Sequence, residues 1–152
     1  MSQEIEVKKE FRFCASHVLP RHNGQCARCH GHEWVLTIGV KGPVDPETGF
    51  VIDYADLKEI VNEAIVDKLD HQHLGPHALA DEEHVRDTAI LGEKGYPYQV
   101  PSILGKGFYP SSENLVLRFV EILSKAFNPV KAFRLSYVSL KETCTSEAIW
   151  QV

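Results

Sequence analysis

No stretch of these 152 residues approaches the roughly 20 consecutive apolar residues that a membrane-spanning helix needs, which excludes a helical membrane protein. The opening MSQEIEVKKEF is also too polar for the apolar core of a secretion signal, so a cytoplasmic protein is expected. Cysteine is scarce at four residues, and in a reducing compartment such thiols serve metals or chemistry rather than disulfides. Basic residues are in deficit: 16 Lys and Arg against 21 Asp and Glu give a formal net charge of -5. This excludes a general nucleic-acid binder but leaves room for a local Lys/Arg cluster facing a small anion. Methionine occurs only as Met1, which removes the usual distal ligand of a c-type haem. What remains, 43% hydrophobic and 24% charged residues, is the composition of one domain over 1–152 with a real core.

The densest chemistry lies in Cys26-Ala27-Arg28-Cys29-His30-Gly31-His32. Its first five residues spell C-x-x-C-H, the haem-attachment signature, yet neither an export signal nor a second methionine accompanies it. A closed structural zinc site is poorly supplied as well, because there is no second C-x-x-C and Cys14 and Cys144 stand alone. In an extended segment His30 and His32 point to the same face, as a strand presents two ligands to one ion. Upstream, Ile5, Val7, Phe11, Phe13 and Ala15 fall on odd positions and lead to His17, which predicts a strand with one buried face ending in an imidazole. Antiparallel pairing with a strand over 34–40 brings His17 to His30 and His32. Three neutral imidazoles with an open position suit a catalytic zinc.

The rest of the chain alternates without repeats. Strands are expected over 4–15 and 32–41, joined by a loop that carries Cys26. Asp53 can cap a helix whose stripe is Leu57, Ile60, Val61, Ala64, Ile65 and Leu69, and that helix runs out at Asp70-His71. There a carboxylate can fix the tautomer of an imidazole and stabilise its protonated form. Residues 75–110 read as a long irregular excursion that covers the site, with Gly105-Lys106-Gly107 as a turn. A second helix is expected from Ser111 or Ser112, with Leu115, Phe119, Ile122, Leu123 and Ala126 inward and Pro129 ending it. A third strand over 132–140 should turn Phe133, Leu135 and Tyr137 to the helices, and a fourth covers 148–152. The order strand, strand, helix, helix, strand, strand predicts an α+β fold: a four-stranded antiparallel sheet with two helices on one face.

Phe13-Cys14-Ala15-Ser16-His17, Cys26-x-x-x-His30-Gly31-His32, Val51-Ile52-Asp53-Tyr54-Ala55-Asp56-Leu57-Lys58, Leu69-Asp70-His71, Pro110-Ser111-Ser112-Glu113-Asn114 and Lys141-Glu142-Thr143-Cys144-Thr145 occur in one order along the chain. Together they resemble the 6-pyruvoyltetrahydropterin synthase and 6-carboxytetrahydropterin synthase family of the tunnelling fold. The gap of three between Cys26 and His30 resembles the bacterial carboxy-forming type. The resemblance implies that His17, His30 and His32 bind one Zn2+ per subunit, that Cys26 is the base, and that Asp70 and His71 form a proton relay. It implies that Glu142 holds the pterin and shares in the relay, and that Ser111 and Ser112 line the pterin pocket.

The implied reaction is a lyase reaction on 7,8-dihydroneopterin triphosphate that gives 6-carboxy-5,6,7,8-tetrahydropterin, acetaldehyde and triphosphate, a step toward deazapurine nucleosides such as queuosine. A pyruvoyl-forming synthase is the alternative. The residues alone also allow a hydrolase with a Cys26 nucleophile and His71, or a zinc module without catalysis. Cys29 is an extra thiol, expected to be passive because strand neighbours of His30 face the other way. The family closes its sheet edges by building trimeric barrels that stack into hexamers, so a homo-oligomer is implied, with no nucleic-acid or membrane partner.

Overall fold

The computed structural model describes residues 3–76, 100–105, 107–128 and 132–152. Most of the expected excursion at 75–110 therefore lies outside the described residues, as do Lys106 and Pro129.

Two long strands form the scaffold. In β1 (Glu4–His17) and β2 (His30–Pro43) apolar side chains alternate with polar ones, and the buried set Phe11, Phe13, Ala15, Trp34, Leu36 and Ile38 shares one face. The antiparallel register sets Phe11 opposite Leu36, Phe13 opposite Trp34, and His17 opposite His30. Onto that face packs α1, which begins as Tyr54–Val61 behind an Asp53 cap whose carboxylate accepts from Ala55 N at 2.7 Å. It continues through a π-helical stretch, Asn62–Val66, into Asp67–Leu69. The π turn has a physical reason in the sequence. Leu57, Val61, Ile65 and Leu69 recur every fourth residue, a spacing that drifts by about 40° per step at 3.6 residues per turn. A wider turn holds all four on the core, where each is fully buried.

The second helix, α2 (Ser112–Phe127), buries Leu115, Val116, Phe119, Leu123 and Phe127, so Phe127 takes the inward place expected of the exposed Ala126. The chain finishes with β4 (Arg134–Thr143) and β5 (Ser146–Gln151). Between the helices a two-residue strand, β3 (Gln72–His73), pairs in parallel with Ala15 and Ser16. The sheet is thus five-stranded, in the order β3-β1-β2-β4-β5, rather than four-stranded: its four long strands are antiparallel as expected, and the short parallel one is added where the chain leaves α1. Both helices pack on one face, giving the expected α+β architecture.

One expected phase is corrected. Tyr137 does not face the helices, because a bulge between Gly39 and Val40 of β2 and Leu135 and Tyr137 of β4 shifts the register. Leu135 lies inward before the bulge, and Val138 and Leu140 lie inward after it. Tyr137 lies on the other face under the Lys8 ammonium, 3.6 Å from its ring centre. Gly39 permits the crossing, since a Cβ there would meet Tyr137 Cβ at 2.7 Å. After the bulge the inward positions are even-numbered, and the next one is Glu142.

Candidate metal centre and its surroundings

The ladder that pairs His17 with His30 and Ala15 with His32 puts three imidazoles on the helix-covered face at the end of the β1–β2 seam. Trp34, the next inward residue of β2, lies beneath them, its ring centre 4.9 Å from that of His17 and 5.1 Å from that of His32. Its indole N–H donates to the carbonyl of Ala15 at 3.1 Å, which fixes the plane against which the two imidazoles rest. His17 is fully buried and the other two histidines are half-buried.

The donor set can be tested against a metal by its protons. Nδ1 of His17 lies 2.8 Å from the carbonyl oxygen of Pro110, and Nδ1 of His30 lies 2.7 Å from that of Arg28. A carbonyl only accepts, so each Nδ1 carries a proton and a neutral ring presents a bare lone pair at Nε2. Yet Nε2 of His17 stands 3.0 Å from Nε2 of His30 and 3.1 Å from Nε2 of His32. Lone pairs repel at that distance unless a cation lies among them. The ligand atoms of all three lie within 4.8 Å of one another, and their chemistry fits zinc or a similar borderline divalent ion. Burial favours the neutral ring at His17 and His32: it lowers the His17 pKa to about 4 and lowers that of His32 as well.

Glu142 stands beside this cluster, its Oε1 3.8 Å from Nε2 of His17. Burial raises its pKa above the usual carboxylate range and the nearby Glu113 adds to the effect, while His30 opposes it. A carboxylate so placed favours any ligand that brings donors to it. Ser111 and Ser112 open α2 next door: Ser111 Oγ accepts from Asn114 N at 3.2 Å as the cap, and Ser112 Oγ donates to Glu113 Oε2 at 3.3 Å.

Asp70 and His71 form a second group, across the β1–β3 seam. Asp70 Oδ2 is 3.0 Å from His71 Nδ1, and Asp70 Oδ1 accepts from Cys14 N at 2.9 Å. The Cys14 N–H lowers the Asp70 pKa most; burial opposes it, and His71 adds to the lowering. His71 adopts φ 61°, a region few non-glycine residues enter, and its N–H donates to Cys14 O at 2.6 Å. The side chain is 80% exposed. It borders a shallow, open depression of about 420 Å³ that His32 lines from the other side.

Cys26 is half-buried in a short 3-10 turn, Gln25–Ala27, with its carbonyl accepting from Leu19 N at 2.9 Å. Its thiol makes no hydrogen bond among the described residues. The fold therefore joins His17, His30, His32 and Glu142, and separately Asp70 and His71, but within one chain it does not link Cys26 to that pair. Cys29 is exposed, beside His30.

Five contributors escaped the sequence reading. Trp34 was legible in principle, being two residues after His32 in the same alternation. The carbonyls of Pro110 and Arg28 carry no sequence signal, since every residue has one. The Ser16 hydroxyl and His73 Nδ1, 2.8 Å apart, tie β3 to β1 and so support the turn that holds Asp70 and His71.

Comparison with known proteins follows the same lines. The chain is 38% identical over 89 residues to 6-carboxy-5,6,7,8-tetrahydropterin synthase of Haemophilus influenzae, covering 57% of this chain and 60% of that protein. It is 39% identical over 98 residues to a putative 6-carboxy-5,6,7,8-tetrahydropterin synthase of Archaeoglobus fulgidus, covering 62% of this chain and 83% of that one. Over 51 residues it is 43% identical to 6-pyruvoyl tetrahydrobiopterin synthase of Dictyostelium discoideum, covering 34% of this chain and 38% of the relative. The fold is that of Caenorhabditis elegans 6-pyruvoyl tetrahydropterin synthase, with a TM-score of 0.72, 20% identity, and coverage of 99% of this chain and 97% of that one. The sequence model of 6-pyruvoyl tetrahydropterin synthase matches residues 6–151, nearly the whole sheet-and-helix framework, and the chain belongs to that family.

Proposed function

We propose that this chain is a zinc-dependent lyase that converts 7,8-dihydroneopterin triphosphate, with uptake of a water molecule, to 6-carboxy-5,6,7,8-tetrahydropterin, acetaldehyde and triphosphate. The observation that carries the reading is the convergence of three imidazole Nε2 atoms beside the half-buried carboxylate of Glu142. The names of the Haemophilus and Archaeoglobus relatives support the carboxy-forming product.

His17, His30 and His32 would hold the metal through Nε2. Zinc bound there supplies Lewis acidity toward the hydroxyls of the substrate side chain. Glu142, once ionised, accepts paired hydrogen bonds from the exocyclic amino group and ring N–H of the pterin, and these bonds orient the side chain toward the histidines. Ser111 and Ser112 border that pocket at the start of α2. Cys26 as thiolate takes a proton from the side chain, after which triphosphate leaves by elimination. Asp70 holds the Nδ1–H tautomer of His71, leaving Nε2 to pass a proton. Because the Cys26 thiol and this pair do not meet within one chain, the relay is completed by a second subunit of a trimer or hexamer.

The test is to incubate zinc-loaded protein with 7,8-dihydroneopterin triphosphate and follow acetaldehyde and pterin products by mass spectrometry. Acetaldehyde with the carboxy-pterin is the expected result. A pyruvoyl product would transfer the chain to the reading that the Dictyostelium relative's name favours, and no release of triphosphate would overturn the synthase reading.

A further inference from the structure

The loop between β1 and β2, residues 18–29, contains Arg21 and Arg28 and no acidic residue, in a chain whose formal net charge is -5. The arginines among the described residues divide into two kinds. Arg12 pairs with Glu10 and Glu33, Arg118 with Glu121, and Arg134 with Glu4. Arg21 and Arg28, both exposed, have no carboxylate partner among the described residues. A guanidinium without an anion, repeated within one loop of an acidic protein, is a vacancy for one.

Both arginines are linked to the imidazole cluster, Arg28 by its main chain and Arg21 through Tyr109. The carbonyl of Arg28 receives the Nδ1–H of His30 at 2.7 Å, so this residue adjoins the cluster by its own main chain. The guanidinium of Arg21 lies over the ring of Tyr109, 4.1 Å from its centre, and Tyr109 precedes Pro110, whose carbonyl receives the Nδ1–H of His17 at 2.8 Å. Stacking on Tyr109 holds the Arg21 plane while leaving its N–H edge open. The loop itself is braced, with Leu19 N donating to Cys26 O at 2.9 Å and His22 N to Leu19 O at 2.9 Å. Cys26 lies between the two arginines in the sequence of this loop.

We propose that Arg21 and Arg28 form the subsite for the phosphoryl tail of the substrate, receiving a polyphosphate ester at the rim of the metal centre. This deepens the synthase reading and rests on it for the identity of the ester. The chemistry is complementary: Glu142 selects the donor-rich ring at one end, and two forked cations take the anionic tail at the other.

The experiment compares zinc-loaded wild type with R21Q, R28Q and the double variant, measuring KM for 7,8-dihydroneopterin triphosphate and Kd for 7,8-dihydroneopterin, which lacks the phosphates. Losing one charge-assisted contact raises KM by about tenfold or more, and the double variant compounds the effect. Binding of the unphosphorylated pterin stays within about twofold and zinc content is unchanged, while R21K and R28K recover most of the affinity. An unchanged KM in the double variant overturns the proposal, and equal weakening of both pterins overturns it too by making the arginines structural. Inorganic tripolyphosphate, titrated by calorimetry into wild type and double variant with zinc checked afterwards, separates this proposal from the synthase reading. If the wild type turns over no pterin triphosphate yet binds tripolyphosphate through these arginines, the subsite stands and the pterin assignment falls. If tripolyphosphate binds both proteins equally, the subsite falls.

Discussion

The seam between β1 and β2 and the seam between β1 and β3 both end in imidazoles, yet the first joins two strands of 14 residues and the second is closed by a strand of two. Along the long seam the register repeats at every pair, so His17, His30 and His32 inherit their positions from a buried sheet with Trp34 as its floor. Along the short seam Asp70 and His71 hang from a turn held chiefly by Cys14 and by the Ser16–His73 bond. The lesson concerns completeness: the converging imidazoles are preorganised by one buried sheet, whereas the Asp70–His71 pair stands exposed at its edge.

The largest effect that breaks this comparison comes from the long seam. His17→Ala should reduce zinc content to background and abolish turnover, a greater loss than the roughly 10–100-fold that removing a mere outer hydrogen-bond partner costs, as metal analysis will check. The protein should stay folded by circular dichroism, because its core of Phe13, Leu36, Phe119 and their neighbours does not include the metal. Unfolding on chelation would instead favour a structural zinc.

On the short seam His71→Ala should lower kcat by about 10²–10⁴-fold while zinc content and thermal midpoint stay put. Mixing refolded His17→Ala and His71→Ala chains sharpens the contrast. If each site draws its metal ligands from one chain and its relay from another, activity returns to roughly a quarter of wild type. No recovery would mean that relay and metal belong to the same chain.

Smaller effects should separate floor from rim. Trp34→Phe leaves the Ala15 carbonyl without its buried donor, which should cost about 1–2 kcal/mol of stability by denaturant titration and weaken zinc about tenfold in a chelator competition. The smallest concerns Asp70. Its folded pKa lies below 3.8, so its ionised form contributes stability above that value and the contribution is lost as pH falls through the lower folded one. Asp70→Asn should therefore lower stability modestly at neutral pH and flatten the acid limb below about pH 4, so that the two stability curves converge at low pH. A variant that tracks the wild-type limb would show that Asp70 does not support the turn.

The long seam was legible because both its strands write a period of two in apolar residues, and the histidines extend that period. Helix caps were legible for the same local reason: Asp53 and Ser111 stand where a side chain can reach exposed amides. The helix stripes were largely readable, although Phe127 replaced Ala126 because the larger side chain gains more from burial. The pairing of Asp70 with His71 followed from adjacency in the chain. The phase of β4 did not follow, and neither did the split between paired and unpaired arginines, which depends on carboxylates remote in sequence such as Glu4 with Arg134.

Local pattern by itself determined where the candidate residues stand along the chain: three histidines at strand spacing, a carboxylate before an imidazole, and a cysteine in the loop between the first two strands. Tertiary structure alone decided which of them meet. The alternation of 133, 135 and 137, continued regularly, would have turned Glu142 away from the histidines; the bulge opposite Gly39 reverses the phase and brings it to their side. Likewise, the proton positions that leave bare Nε2 lone pairs on His17 and His30 come from the carbonyls of Pro110 and Arg28. A bulge and a backbone acceptor are properties of two chain segments meeting, and neither segment's sequence encodes them alone.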